Sequence, residues 1–205
     1  MENVKEHWER IYKSKNPHEV SWYAEHLYES TGIISQLRVE KNAAIIDIGG
    51  GSSVLADELL EIGYNDITVL DVSETALMIS KERLGLRSGE VSWISENVLT
   101  SNLNNRNYDL WHDRAVFHFL TNENDRLSYR MQLDKHLNSN GYFILNVFAD
   151  DGPEKCSGLT VRRHSEADIS NFSGPGYKEL FFRRSSHFTP SGAEQKFITA
   201  VFQKV

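Results

Sequence analysis

Apolar residues recur along this chain with two periods, and the change between them divides it. Val4, Trp8, Ile11 and Tyr12 fall at helical spacing and predict a first helix, ended by Asn16-Pro17. Leu27, Ile33 and Ile34 predict a second helix from about residue 24 to 36. From residue 43 the pattern changes. Short apolar, partly β-branched runs at 43–48, 67–71, 91–94, 108–111 and 142–148 read as strands, and helical stretches separate them. Continuous apolar runs mark strands buried on both faces, and their alternation with helices marks βαβ units in a parallel sheet. Residues 125–137 form the helix before the fifth strand, and Ser165 begins a short one. Residues 180–188 and 195–205 read as a closing hairpin across Thr189-Pro190-Ser191-Gly192. The segment 149–158 is rich in Asp, Gly, Pro and Ser. It is a loop at the carboxyl end of the fifth strand, the edge where open α/β sheets hold ligands.

The first strand runs through Asp47-Ile48 into Gly49-Gly50-Gly51-Ser52-Ser53. Glycines there take backbone angles closed to other residues and carry no Cβ to hold a ligand away. Ser52 or Ser53 is placed to cap the next helix, whose Val54, Leu55, Leu59 and Ile62 fall at helical spacing. A dinucleotide fingerprint needs Gly or Ala where Val54 stands, and a phosphate loop needs a lysine that is absent. The loop suits a nucleoside without a pyrophosphate; the plainer alternative is a bare tight turn. A second strand then ends in Asp71, twenty positions beyond Gly51. In doubly wound folds an acid there takes hydrogen bonds from ribose hydroxyls, and a carboxylate suits a diol because it only accepts. Ser73 follows as a cap for the helix carrying Ala76, Leu77 and Ile79.

Taken in order, D-I-G-G-G-S from Asp47, V-L-D-V-S from Val69, E-N-V from Glu96 and Y-D-L-W-H-D-R-A-V-F-H-F-L from Tyr108 resemble the class I S-adenosylmethionine-dependent methyltransferases. The resemblance extends to H-W-E-R-I-Y from His7, E-V-S-W-Y from Glu19 and D-G-P-E-K-C-S-G-L from Asp151. These look like a small bacterial branch similar to the mitochondrial citrate synthase lysine methyltransferase. The resemblance implies a single α/β domain, Rossmann-like and doubly wound, with a mostly parallel seven-stranded sheet and a C-terminal antiparallel strand. Lid helices would occupy residues 1–40, the cofactor-binding core 43–148, and a substrate-side loop with the last strands 149–205. It further implies that Asp47, Gly49 and Gly51 line the methionine end of S-adenosyl-L-methionine. Asp71 would hold the ribose, Val72 would lie against the adenine, and Asn97 and Val98 would stand on the adenine side. His112 and Asp113 would end the fourth strand where the methyl group points toward its acceptor.

Composition narrows the partners. The chain has 205 residues and a net charge of -7, which argues against broad nucleic-acid or anionic-membrane binding. No apolar stretch approaches the ~20 residues of a membrane span. Cys156 is the only cysteine, so neither an internal disulfide nor a cysteine zinc site is available, and a reducing cytoplasm is the expected compartment. The histidines lack metal-ligand spacing, so no metal is expected. A monomer or weak homodimer is expected.

Methyl transfer from a sulfonium is an in-line displacement that asks mainly for alignment, with a base only where the acceptor arrives protonated. The candidate catalytic residues are His112, Asp113, Arg114 and His118. Asp113 would orient a nucleophile or stabilise a cation, and Arg114 would bind an acidic acceptor; the competing reading is a structural Asp113–Arg114 ion pair. His118 would act as a base, or simply pack between Phe117 and Phe119. Trp22, with Tyr23, would offer aromatic faces to the sulfonium or an ammonium, or pack in the core. Cys156 is either a pocket thiol or inert. The leading reading is transfer to a small-molecule acceptor. A protein lysine acceptor and a non-catalytic S-adenosylmethionine sensor remain as alternatives, and a nicotinamide oxidoreductase is disfavoured by Val54.

Overall fold

The computed structural model describes residues 3–205, the side chain of Pro17 excepted. Helix α1 (Val4–Ser14) starts at a capping box, in which Asn3 accepts from Lys5 N–H and Glu6 reaches back to the Asn3 N–H. Helix α2 (Tyr28–Gln36) begins later than the apolar spacing suggests, because residues 20–27 form turns around Val20 and Leu27. Both bury apolar residues against the rest of the chain.

The strands are β1 (Ile45–Ile48), β2 (Ile67–Asp71), β3 (Val91–Ser95), β4 (Tyr108–Arg114) and β5 (Leu137–Phe148), followed by a small pair, β6 (Lys155–Cys156) and β7 (Leu159–Thr160). Two long strands close the chain, β8 (Tyr177–Phe188) and β9 (Glu194–Lys204). Seven of these build one sheet in the order β3-β2-β1-β4-β5-β9-β8. β1 to β5 pair in parallel, and β9 lies antiparallel between β5 and β8. β5 starts five residues before the predicted strand, since 137–141 pair across a bulge with the start of β4.

Helices α3 (Leu55–Glu61), α4 (Glu74–Leu84), α5 (Glu123–His136) and α6 (Glu166–Ser173) cover the sheet. Two cores result. Ile45, Leu110, Ile144 and Val201 face α2 and α3; Ile46, Trp111, Phe143 and Phe202 face α5 and α6. Neighbours such as Ile45 and Ile46 serve opposite layers, as the period of two requires. The predicted caps Ser73 and Ser165 accept from Ala76 and Asp168 N–H. At α3 the cap position falls on Val54 instead, although the Ser53 hydroxyl still accepts from Leu55 N–H. The chain leaves β1 toward β2 and β3, then returns to β4 on the other side. That reversal opens a crevice at the carboxyl edge between β1 and β4, where ligands bind in such sheets.

Candidate functional site

Three glycines shape the floor of the crevice. Gly49 has φ of +68°, and a Cβ there would stand 2.0 Å from a Val116 methyl, so no other residue fits. At Gly51 the constraint is space alone: a Cβ would meet the Asp71 carboxylate at 2.5 Å and the Ala76 methyl at 2.7 Å. Gly51 thus lies beneath the loop against Asp71, whereas Asp47 and Gly49 reach the crevice wall.

A cavity of about 360 Å³ extends from this loop along the ends of β2 and β4. Asp71 and Val72 lie on its β2 side, with Asn97, Val98 and Leu99 beyond them. Asn97 spends its side-chain oxygen on Leu99 N–H at 2.9 Å and leaves its amide group outward. Asp71 is buried and accepts from Ser73 N–H at 2.8 Å. Burial, against backbone hydrogen bonds from Ser73 and Gly51 and with Asp47 and Glu9 nearby, pushes its carboxyl up to about 7.

An aromatic group covers the cavity. Trp8 packs edge-on against Trp22 at 5.5 Å and Phe119 at 5.1 Å between centroids, and Tyr12 meets Trp22 at 5.8 Å. Glu9 fastens α1 in place by accepting from Ser73 Oγ at 2.9 Å and from the N–H and hydroxyl of Thr75. Burial works against that carboxylate's charge, but the Thr75 and Ser73 donors outweigh it and hold its pKa at about 2. Cys156 closes one corner; burial pushes its thiol up, so it stays protonated at neutral pH.

The H-D-R run at the end of β4 splits its members between faces. His112 and Arg114 point to the α2 side and Asp113 to the α5 side, so no Asp113–Arg114 ion pair forms. His112 is clamped between Asp47 (Nδ1 to Oδ1, 2.7 Å) and Ser30 (Nε2 to Oγ, 3.0 Å), fully buried. Asp113 accepts from Val116 N–H at 2.9 Å, Phe117 N–H at 3.3 Å and the Tyr129 hydroxyl at 2.7 Å. Burial raises its carboxyl to about 6 in spite of those donors. It therefore orients the turn after β4 from beneath and forms no part of the cavity wall. His118 is buried and stacked on Phe148 with 4.3 Å between ring centroids. Neither of its nitrogens has a protein partner, and burial together with His164 and Arg114 lowers its pKa to about 3. A histidine so placed does not collect a proton from an acceptor in the crevice. Arg114 alone of these four borders the cavity.

Arg114 also borders a narrow recess with Asp47, Gly49, Ser52 and Trp22, and a further cavity of about 210 Å³ under residues 24–30. That cavity is walled by Ile144, Asn146, Phe197 and Thr199 of the sheet and by Ser185 to His187. Asn146 Nδ2 donates to Thr199 Oγ1 at 2.6 Å, which donates to Glu29 at 3.1 Å. Sequence reasoning missed Trp8, Tyr12, Glu9, Phe119, Glu29, Asn146 and Thr199 as site residues. The i, i+4 pairing of Trp8 and Tyr12 was visible, but the same spacing serves an ordinary core helix.

Residues 45–141, just under half of the chain, match a family model described as a methyltransferase domain. The mouse eEF1A lysine and N-terminal methyltransferase is 24% identical over 198 residues, which are 96% of this chain and 27% of that protein. The chain thus spans about a quarter of the length of this curated relative. Among solved structures, an S-adenosylmethionine-dependent methyltransferase from Anabaena variabilis superimposes with a TM-score of 0.76 at 18% identity, covering 100% of this chain and 96% of that one. A Burkholderia thailandensis 1,6-didemethyltoxoflavin-N1-methyltransferase, solved with its acceptor and S-adenosylhomocysteine, gives 0.70 at 18% identity over 90% and 80%. At that identity the structural likenesses establish the fold. The glycine floor, the buried ribose-side acid and the neighbouring cavity fit a nucleoside cofactor. With the methyltransferase-domain match over residues 45–141, they support an S-adenosylmethionine-dependent methyltransferase.

Proposed function

We propose that this chain methylates a small molecule, which enters the cavity bounded by Arg114, Asn146, Thr199 and residues 24–30. The observation that carries this reading is the cavity itself. Its 210 Å³ are sunk between the sheet and the N-terminal segment, and it meets the methionine end of the crevice at Arg114. Bound S-adenosylmethionine supplies an electrophilic methyl group on a sulfonium. The residues of the chain do the rest. Asp71 takes the ribose hydroxyls, Val72, Asn97 and Val98 enclose the adenine, and Asp47 and Gly49 hold the methionine end. Trp22 presents an aromatic wall to the cationic sulfur, and with Trp8 excludes water. His112 and Asp113 are positioning residues: one fixes Asp47, the other the turn after β4. Residues 3–40 act as the cover of a single domain.

A protein acceptor is the second reading, supported by the mouse relative described as an eEF1A lysine and N-terminal methyltransferase. Incubation with methyl-tritiated cofactor and a lysate separates the two. Label in the small-molecule fraction is the expected result; label confined to a protein band overturns the small-molecule reading.

A further inference from the structure

The Arg114 guanidinium is short of partners. It carries five N–H donors in a planar fork. Among the described residues its one hydrogen bond goes from Nη1 to the Trp22 carbonyl at 3.2 Å, and no carboxylate lies within ion-pair distance. Burial lowers its pKa, while Asp47 and Glu29 act at longer range to keep it charged. Arg114 is half-buried, and a cation drawn out of water is ordinarily paired, because desolvation is costly. Here the unused donors face the place where the three cavities meet. Most other polar groups of the acceptor-side cavity are committed elsewhere. Asn146 and Thr199 are chained to Glu29, Ser186 donates to Glu194, and His187 bonds the Ser21 carbonyl.

We infer that Arg114 is a carboxylate receptor and that the methyl acceptor is a small molecule bearing a carboxylate. The fork geometry of the guanidinium takes two carboxylate oxygens at once, which fixes the orientation of a planar anion as well as its position. This rests on the small-molecule reading above and narrows its substrate class. The same chemistry has a second source, the methionine carboxylate of the cofactor. The acceptor is favoured because Arg114 also opens onto walls built by β5, β8 and β9, which the glycine-loop crevice does not use.

Calorimetry distinguishes the sources. Wild type, Arg114→Gln and Arg114→Lys are each titrated with S-adenosylhomocysteine and with 5′-methylthioadenosine, which lacks the amino-acid end. The expected result is that the affinity ratio of the two nucleosides changes less than threefold in either variant. Loss of tenfold or more for S-adenosylhomocysteine alone assigns Arg114 to the cofactor and overturns the acceptor assignment. A second arm uses wild type only, so it does not depend on the variants folding. Matched pairs of small carboxylic acids and their primary amides are titrated into the S-adenosylhomocysteine complex. At least one acid is expected to bind tenfold or more tighter than its amide. Amides binding as well as acids, or no acid binding, overturns the inference. Methyl transfer to neutral small molecules, undiminished in Arg114→Gln, would overturn it while leaving the small-molecule reading intact. Label in protein alone would remove both.

Discussion

Two aspartates stand at the carboxyl ends of β2 and β4, the strands on either side of β1, in opposite surroundings. Asp71 closes β2, and Asp113 stands one residue before the end of β4. Both are buried, and burial raises both. Yet Asp113 has its oxygens occupied by two backbone N–H groups and a tyrosine hydroxyl, all from the protein. Asp71 has backbone donors on one side and a cavity on the other. Strand position therefore does not decide whether an acid serves a ligand or the fold. The count of donors supplied by the protein does.

The sharpest way to break this contrast is Asp113→Ala. It leaves three buried donors without an acceptor, so stability in urea is expected to fall by about 3 kcal/mol or more. A large loss of turnover with an unchanged urea midpoint would mean that Asp113 meets the reacting atoms after all. At Asp71→Ala the effect moves to the ligand. Two charge-assisted bonds to a diol disappear, and S-adenosylhomocysteine affinity is expected to drop about 100-fold, or ~2.7 kcal/mol. The urea midpoint should fall less than at Asp113, because the loss of the acceptor for the Ser73 and Gly51 N–H groups is offset by removal of a desolvated carboxylate; a drop of the Asp113 kind would erase the contrast.

Acid should expose a third class of buried group. His118 and His164 are held neutral with pKa values near 3 and 4, below the ~6.5 of an unfolded histidine. The unfolded chain binds these protons first, so stability falls as pH drops through 6.5 toward 4. Each site contributes about 2 kcal/mol of loss between pH 7 and 5. The raised carboxyls of Asp71 and Asp113 oppose this by taking up protons in the folded chain over the same range, so the histidine contribution is read as a difference. In denaturation curves His118→Phe should lose about 2 kcal/mol less than wild type between pH 7 and 5, and an identical slope would show that His118 takes no part.

The smallest expected effect lies in the pH dependence of binding. The Asp71 carboxyl sits near 7, and the proposed hold on a ribose diol requires its ionised form. Protonation therefore competes with the ligand, and affinity should be constant above about pH 8 and fall about tenfold between pH 8 and 6. Calorimetry across that range, repeated on Asp71→Asn, checks it: the variant should show no such fall.

These contrasts explain what the sequence made legible. The glycine loop after β1 and the acid that ends β2 stand out in the sequence because each lies within a single strand–turn–helix unit. The sheet was equally readable, since fully apolar runs have few other uses. The cavity under residues 24–30 draws Glu29, Arg114, Asn146 and Thr199 from four elements far apart in sequence, and no local pattern joins them. The H-D-R run misled for a different reason. Its residues are adjacent in sequence, but the pleat sends Asp113 into the α5 core while His112 and Arg114 turn toward α2. Only the sheet register reveals that His112 already has both nitrogens engaged.

Helix α1 carries a kinetic consequence. It is bolted to the first turn of α4 by Glu9 and rests on Phe119 through Trp8, so it roofs the cavity from both rims. The residence time of spent cofactor then depends on how readily eleven residues detach, a local opening with its own free energy. Turnover can in this way be tuned by a carboxylate on the outer helix that makes no bond to either reactant.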